Sequence, residues 1–459
     1  MESSRIRTTV ARLLGTSQRR WQQRRWGMAE TVYRAEARHQ ARVLGASSHK
    51  ALWARWKRAA ALRKSGRLAE AEEEIRAVSE GLTDLLGADD ANTLRARSMH
   101  AGVLTDLGRF AEAAAEWQPI VAATPASLGA EHREHLRGRA NRAFALYGAG
   151  RLAEAESEYR AATEAMAAAF GPDDSEVLAA GSMHSRVLGE LGRLGEARDV
   201  ALELLEAQRD RQPANHLDLL RVRGTYAETQ WRLGRITEAE AELREVVTGL
   251  AAANGQGHRE TEVTRVAHGR MLLELGRPDE AEAELAVAAA ALSGAFHPGH
   301  WNTLTARFLR ARALADMGRT AEAEAEYDAV VAAQAAALGD AHTRTLEPQA
   351  WRAELLRRLG RPGEARDVLT SVVSQLTGIL GADNQAVLRH RGHLAAAMNA
   401  AAMNDAAMKD AAMKDAALGQ RAEAAAECEA ALRSSTDILG EDHFITRELA
   451  ATLASIRAA

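Results

Sequence analysis

Apolar side chains recur at spacings of three, four and seven along nearly the whole chain, which predicts helices that each bury one face. The pattern is itself periodic. A Leu stands four residues before a Gly at Leu62, Leu104, Leu146, Leu188, Leu272, Leu314 and Leu356; an eighth unit has Gln230 there, followed at once by Trp231. A small residue stands seven before the Gly, as at Ala59, Ala101, Ala143, Ala227 and Ala311. Nine after the Gly comes a larger residue, at Ile75, Trp117, Tyr159, Leu243, Leu285, Tyr327 and Leu369, with Ala201 and Cys428 as smaller exceptions. The Gly recurs at Gly66, Gly108, Gly150, Gly192, Gly234, Gly276, Gly318 and Gly360, always 42 residues apart and always followed by Arg.

This punctuation predicts where helices stop. A Gly after a periodic run ends a helix in backbone that other residues avoid. A Glu four residues later, from Glu70 to Glu364, falls in the first turn of the next helix, where it complements the helix dipole. The Ala beside it, from Ala71 to Ala365, lets two helices approach closely. A second set, Gly45, Gly87, Gly129, Gly171, Gly339, Gly381 and Gly440, lies halfway between. Helix-start residues follow at Asp90, His132, Asp174, His216, His258, His300, His342, Asn384 and His443. Each unit therefore reads as helix, tight turn, helix, short loop. Fixed self-similarity over eight units predicts an all-α solenoid.

The small residue, Gly, Ala and bulky residue sit at the spacing of the tetratricopeptide repeat (TPR) family, which the chain resembles over essentially its whole length. The period is similar to that of the kinesin-light-chain-like subclass common in bacteria, with linkers such as Gly299-His300-Trp301-Asn302-Thr303-Leu304 and Ala341-His342-Thr343-Arg344-Thr345-Leu346. The resemblance implies a right-handed superhelix of about ten stacked repeats that binds other proteins, with the first helices on the concave face. It departs from the subclass on that face. Asn pairs that hold a ligand backbone are replaced by Ser98 with Met99, Ala140 with Asn141, and Ser182 with Met183. That ligand mode is not carried over.

Four regions are expected. Residues 1–45 form a degenerate capping repeat, because Ala29 and Tyr33 keep register although Arg24 replaces the Gly. Residues 46–395 form the regular array. Residues 396–415 are a low-complexity Ala/Met/Lys/Asp insertion of five-residue period, placed in the first helix of the last unit. It delays the next Gly, Gly419, by 17 residues. Residues 416–459 supply the last second helix and a capping helix.

Composition narrows the function. Lys and Arg number 59 against 63 Asp and Glu, a net charge of −4, which argues against attachment to nucleic acid or membrane by bulk charge. Residues 1–26 carry seven Arg but no apolar stretch of a secretory signal, so a cytoplasmic location is expected. An Arg-rich transit segment is the alternative for that stretch. No apolar run reaches a membrane span. The single Cys excludes an internal disulfide, and Cys428 occupies a core position. The 15 His fall mostly one per unit and read as structural; His132 with His135 and His297 with His300 stand out as local pairs. No catalytic constellation or cofactor motif stands out, which leaves an enzyme without support.

Charge is unevenly placed. The fifteen residues before each Gly from Gly66 to Gly360 hold 22 Lys and Arg against 8 Asp and Glu. With the family's geometry this implies a basic concave groove on an acidic back. The groove residues expected are Arg63, Arg95, Arg137, Phe144, Tyr147, Arg186, Arg221, Trp231, Arg270, Phe308, Arg312 and Arg357, with few acids among them: Glu228, Glu347 and Glu354. Arg between aromatics suits an acidic or C-terminal peptide. The expected function is a non-enzymatic scaffold or adaptor for such a partner. Alternatives are a regulatory nucleic-acid binder, disfavoured because no reader domain is attached, and a self-associating scaffold.

Overall fold

The computed structural model describes residues 25–458 apart from 210–211, 214, 297 and 407–410. Helix α1 is described over residues 25–44. The expected first helix of the capping repeat lies outside the described residues. Nine helix pairs follow: α2 His49–Lys64 with α3 Leu68–Leu86, α4 Ala91–Asp106 with α5 Phe110–Leu128, α6 Arg133–Gly148 with α7 Leu152–Phe170, and α8 Ser175–Glu190 with α9 Leu194–Arg209. Next come α10 Leu217–Arg232 with α11 Ile236–Asn254, α12 Arg259–Glu274 with α13 Pro278–Ala295, and α14 Trp301–Asp316 with α15 Thr320–Leu338. The last pairs are α16 Thr343–Arg358 with α17 Pro362–Leu380 and α18 Gln385–Ala406 with α19 Ala411–Leu439; α20 Phe444–Ala458 closes the stack.

The two Gly sets do different work. Gly66 has φ 80° at the tight turn, while Gly87 has φ 93° and ψ 163°, a region open essentially to Gly alone. The residue before most first helices caps them with its side chain, although the expected cap His258 makes no such bond among the described residues. Asp90 accepts from Asn92 N at 2.8 Å and Asp174 from Glu176 N at 2.9 Å. His132, His216, His300 and His342 do the same through Nδ1.

The Arg after each tight-turn Gly has a use that the Gly-Arg pattern alone did not reveal. Arg109 holds Glu112, Arg151 holds Glu154 and Arg361 holds Glu364, each by two hydrogen bonds across the start of the second helix. A second ladder joins the two helices of a unit at a separation of 19 residues: Arg55–Glu74 at 2.9 Å, Arg97–Glu116 at 3.0 Å, Arg139–Glu158 at 3.1 Å and Arg307–Glu326 at 2.8 Å. Two pairs break this ladder: α8–α9 has Gly181 and Val200 in those places, and α16–α17 has Gln349 and Val368.

The core is a series of apolar clusters, each running through a few consecutive helices of the stack. Ala71, Ala113, Ala155 and Ala323 are fully buried against the bulky positions Ile75, Trp117, Tyr159 and Tyr327. Cys428 is buried at the corresponding place of the last pair, and burial pushes its thiol pKa up to about 11. The insertion corrects one expectation. It does not lengthen the first helix alone: α18 has 22 residues where α2 has 16, and α19 has 29 where α3 has 19. Both helices of the last pair are extended, and Gly419 lies inside α19 rather than at a turn. The inserted residues are good helix formers, so adding turns to both helices satisfies their backbone.

Candidate functional site

The first helices α6, α8, α10, α12, α14 and α16 converge on one cavity of about 210 Å³. Tyr147, Arg186, Arg270 and Phe308 line it. An adjoining cavity of about 100 Å³ is lined by Trp231 and again by Arg270 and Glu347. Five of the twelve expected groove residues thus meet at the cavities. Arg312 stands beside them, over the Trp351 ring at 3.9 Å. Arg63, Arg95, Arg137, Phe144, Arg221 and Arg357 do not line either cavity.

The charge picture changes once partners are assigned. Acids supplied by neighbouring helices neutralise most of the expected groove arginines. Arg63 binds Asp106 at 2.6 Å, Arg137 binds Glu176 at 2.9 Å and Arg186 binds Glu228 at 3.0 Å. Arg221 is held by Glu260 and Asp218, and Arg357 by Glu354 at 2.7 Å. Arg312 binds Glu274 at 2.8 Å, and Arg389 reaches the same carboxylate at 3.0 Å. Burial pushes the Glu274 pKa up, but the two guanidinium charges outweigh this and hold it at about 2. The sequence count of basic first helices missed these pairs, because each acid comes from another turn of the same helix or from an adjacent unit.

Arg270 is different. It stands over the Trp231 ring at 5.3 Å and has no carboxylate in contact among the described residues. The Trp231 indole N–H is buried with no acceptor among the described residues. Glu347 opens onto both cavities with its side chain exposed to the chamber; desolvation by the chamber walls raises its pKa while Arg270 opposes the rise. Arg95 also lacks an ion pair among the described residues, but it is exposed and lies over Trp53 at 5.8 Å. Phe144 packs on Phe110 and Trp301, and Phe308 is buried against Tyr327.

Several lining residues were not expected. Arg232 binds Glu190 at 2.6 Å, and Arg344 sits among Phe110, Tyr147 and Trp301 at 5.4, 5.6 and 4.8 Å. Trp301 was visible in the linker pattern, but its position beside α6 was not. Of the local His pairs, His135 is buried against Thr124 at 2.7 Å and His132 caps α6, while His297 lies outside the described residues. Among the described residues no three His, Cys, Asp or Glu side chains converge as a metal site would require. No helix there is long and apolar enough to cross a membrane.

Seven stretches match the tetratricopeptide repeat family: residues 52–77, 94–119, 136–161, 220–245, 263–286, 304–329 and 346–369. Each spans a first helix and the start of its partner. The chain is a tetratricopeptide repeat protein. The α8–α9 unit of this TPR array is unmatched and lacks the Arg–Glu rung; α16–α17 also lacks it, with Gln349 and Val368 in those places, yet is matched. No curated protein matches the chain. Among solved structures it is similar to the nearly identical TPR-like repeats of a putative kinesin light chain from Podosopora anserina, at 22% identity over 44% of this chain and 96% of that one, with a TM-score of 0.37. It is also similar to BtubC (BKLC) from P. vanneervenii, at 18% identity, 52% and 92% coverage and a TM-score of 0.41. A Rap protein complexed with competence and sporulation factor aligns at 13% identity over 89% and 97%, with a TM-score of 0.48.

Proposed function

We propose that this TPR protein, of the kinesin-light-chain-like 42-residue kind and of bacterial type, is a non-enzymatic cytoplasmic scaffold whose concave chamber binds an acidic or C-terminal segment of a partner protein. One observation carries the proposal: Arg270 lies over Trp231 in a lined cavity, with no contacting carboxylate among the described residues to match its charge. A guanidinium backed by an aromatic ring suits a planar carboxylate and supplies apolar contact beside it. The groove arginines already paired within the fold contribute less, because a ligand acid must displace Glu176, Glu228 or Glu260 to reach them. Their summed field still favours an acidic partner's approach.

Arg270 is therefore the informative site for substitution. Affinity capture from source cytosol at low salt should retain a partner on the wild-type protein and lose it from Arg270→Glu. Arg95→Glu, at an exposed site outside the cavities, should retain it. Equal retention by wild type and Arg270→Glu sets the chamber aside as the site.

A further inference from the structure

Contacts between successive turns of the coil differ in kind from contacts within a turn. Within a turn, apolar clusters run through consecutive helices, such as the one from Val266 to Leu355. No such cluster among the described residues joins α6 to α16, α8 to α18 or α10 to α20. Those pairs meet end to end instead. His342 Nε2 reaches Gly148 O at 2.8 Å, Asn384 Nδ2 reaches Glu190 O at 2.8 Å and His443 Nε2 reaches Arg232 O at 3.2 Å. Gln385 adds a bond to the same Arg232 carbonyl at 2.9 Å.

The three contacts repeat one design. In each, an N-cap side chain five units along donates to a carbonyl at the C-terminal end of a first helix. The other end of the same side chain accepts from its own helix: His342 from Arg344 N at 3.1 Å, Asn384 from Ala386 N at 2.9 Å and His443 from Ile445 N at 3.2 Å. His and Asn can accept and donate at once, whereas an ionised Asp only accepts. The caps of α4 and α8, Asp90 and Asp174, make no such cross-turn contact among the described residues. Further contacts between the turns include the Arg344 guanidinium among three rings, the Arg389–Glu274 pair, and the ring contacts Phe144–Trp301 and Trp231–Phe444.

We propose that the two turns of this coil part and reclose along the polar seam formed by His342, Asn384 and His443, and that the closed seam restricts entry to the chamber; the second half rests on the function proposed above. Water replaces each hydrogen bond lost on parting, while the apolar core of each turn stays packed. The motion is a hinge between two well-packed bodies, spread over the intervening units.

The test replaces all three caps by Asp, as His342→Asp, Asn384→Asp and His443→Asp. Asp keeps each helix cap, as Asp90 and Asp174 do, and removes the donor that crosses the seam. Spin labels on cysteines at Ala153 and Asp340, in a Cys428→Ala background, report the α6–α16 gap without any partner present. The proposal expects the distance distribution to shift longer and broaden in the triple variant, with helix content by circular dichroism unchanged. An unchanged distribution overturns it. If the triple variant loses helix content, Asn384→Asp alone decides, with the labels moved to the α8–α18 contact.

Entry is read separately, by acrylamide quenching of Trp301 fluorescence, taken as the difference from Trp301→Phe. Quenching should rise in the opened variant. A longer distance with unchanged quenching leaves the motion standing and overturns its control of the chamber. Because neither measurement uses the partner, a failed capture with Arg270→Glu bears on the proposed function alone.

Discussion

A single methyl group distinguishes two glycines of α6. At Gly148 a Cβ would meet the Phe110 ring at 2.2 Å, but at Gly138 the nearest atoms are Val121 Cγ2 at 3.6 Å and Trp117 at 3.7 Å. Gly148→Ala should therefore cost about 1–3 kcal/mol by overpacking. Gly138→Ala should be neutral or stabilise by up to about 1 kcal/mol, since Ala is the better helix former and the space is ordinary. Urea denaturation of both variants checks the order, and the reverse order would contradict the packing of α5 on α6. Glu274 is the other decisive residue. It is the shared partner of Arg312 and Arg389, and its side chain is only 5% exposed. Glu274→Gln would leave two largely buried guanidinium groups with weakened partners and should cost about 3–5 kcal/mol. None of this was legible in the sequence at the level of pairs. Glu274 looks like any helical Glu until a residue 115 positions away arrives beside it.

At the scale of elements the sequence was far more informative. Gly66 and Gly87 mark turns whose backbone only Gly adopts cheaply, so the helix ends follow from residue type alone. The N-caps from Asp90 to His443 were equally plain, because capping needs only a local acceptor. Their second role across the seam was hidden, since it depends on a partner five units away. That role has a pH signature. Burial lowers the pKa of His443 to about 4, with Arg389 and Arg447 opposing protonation and Glu274 and the Arg232 carbonyl favouring it. Burial lowers His342 as well, beside Arg344. The unfolded chain takes up these protons first, near pH 6.5, so stability falls as the pH drops from about 6.5 towards 4. The His443 contribution amounts to about 3 kcal/mol at most. Glu274 and Glu448, both held at about 2, lose their contribution only lower, between about pH 4.5 and 2. His443→Asn keeps an acceptor and a donor without a titrating group. Its melting temperature should fall less than that of wild type between pH 7 and 4.5, and an equal fall would remove His443 as the cause.

At the scale of the whole molecule, the stacking order followed from the 42-residue period, but the closeness of the turns did not. Curvature is set by a small rotation per unit, accumulated over five units, and no single residue encodes it. The chamber at Arg270 inherits that blindness, because Trp231 and Glu347 reach it from helices three units apart. The insertion shows which residues the stack needs. Residues 385–400 of α18 and 421–439 of α19 correspond to the ordinary helix pair, and Leu388, Ala395, Ala424, Cys428 and Ala431 form its buried contacts with α20. The added turns lie beyond that core. Deleting residues 402–418 joins Ala401 to Gly419 and restores the 42-residue step, with Gly419 placed where Gly360 stands one unit earlier. The shortened protein should keep the packing of α20 and melt within a few degrees of the full chain, because repeat stability is a sum of unit and neighbour terms that the deletion leaves intact. Scanning calorimetry measures this directly. A loss of ten degrees or more, or a separate early transition, would mean that the extended hairpin supports the last units rather than projecting from them, since a change of about 1 kcal/mol moves the midpoint of a domain this size by only a few degrees.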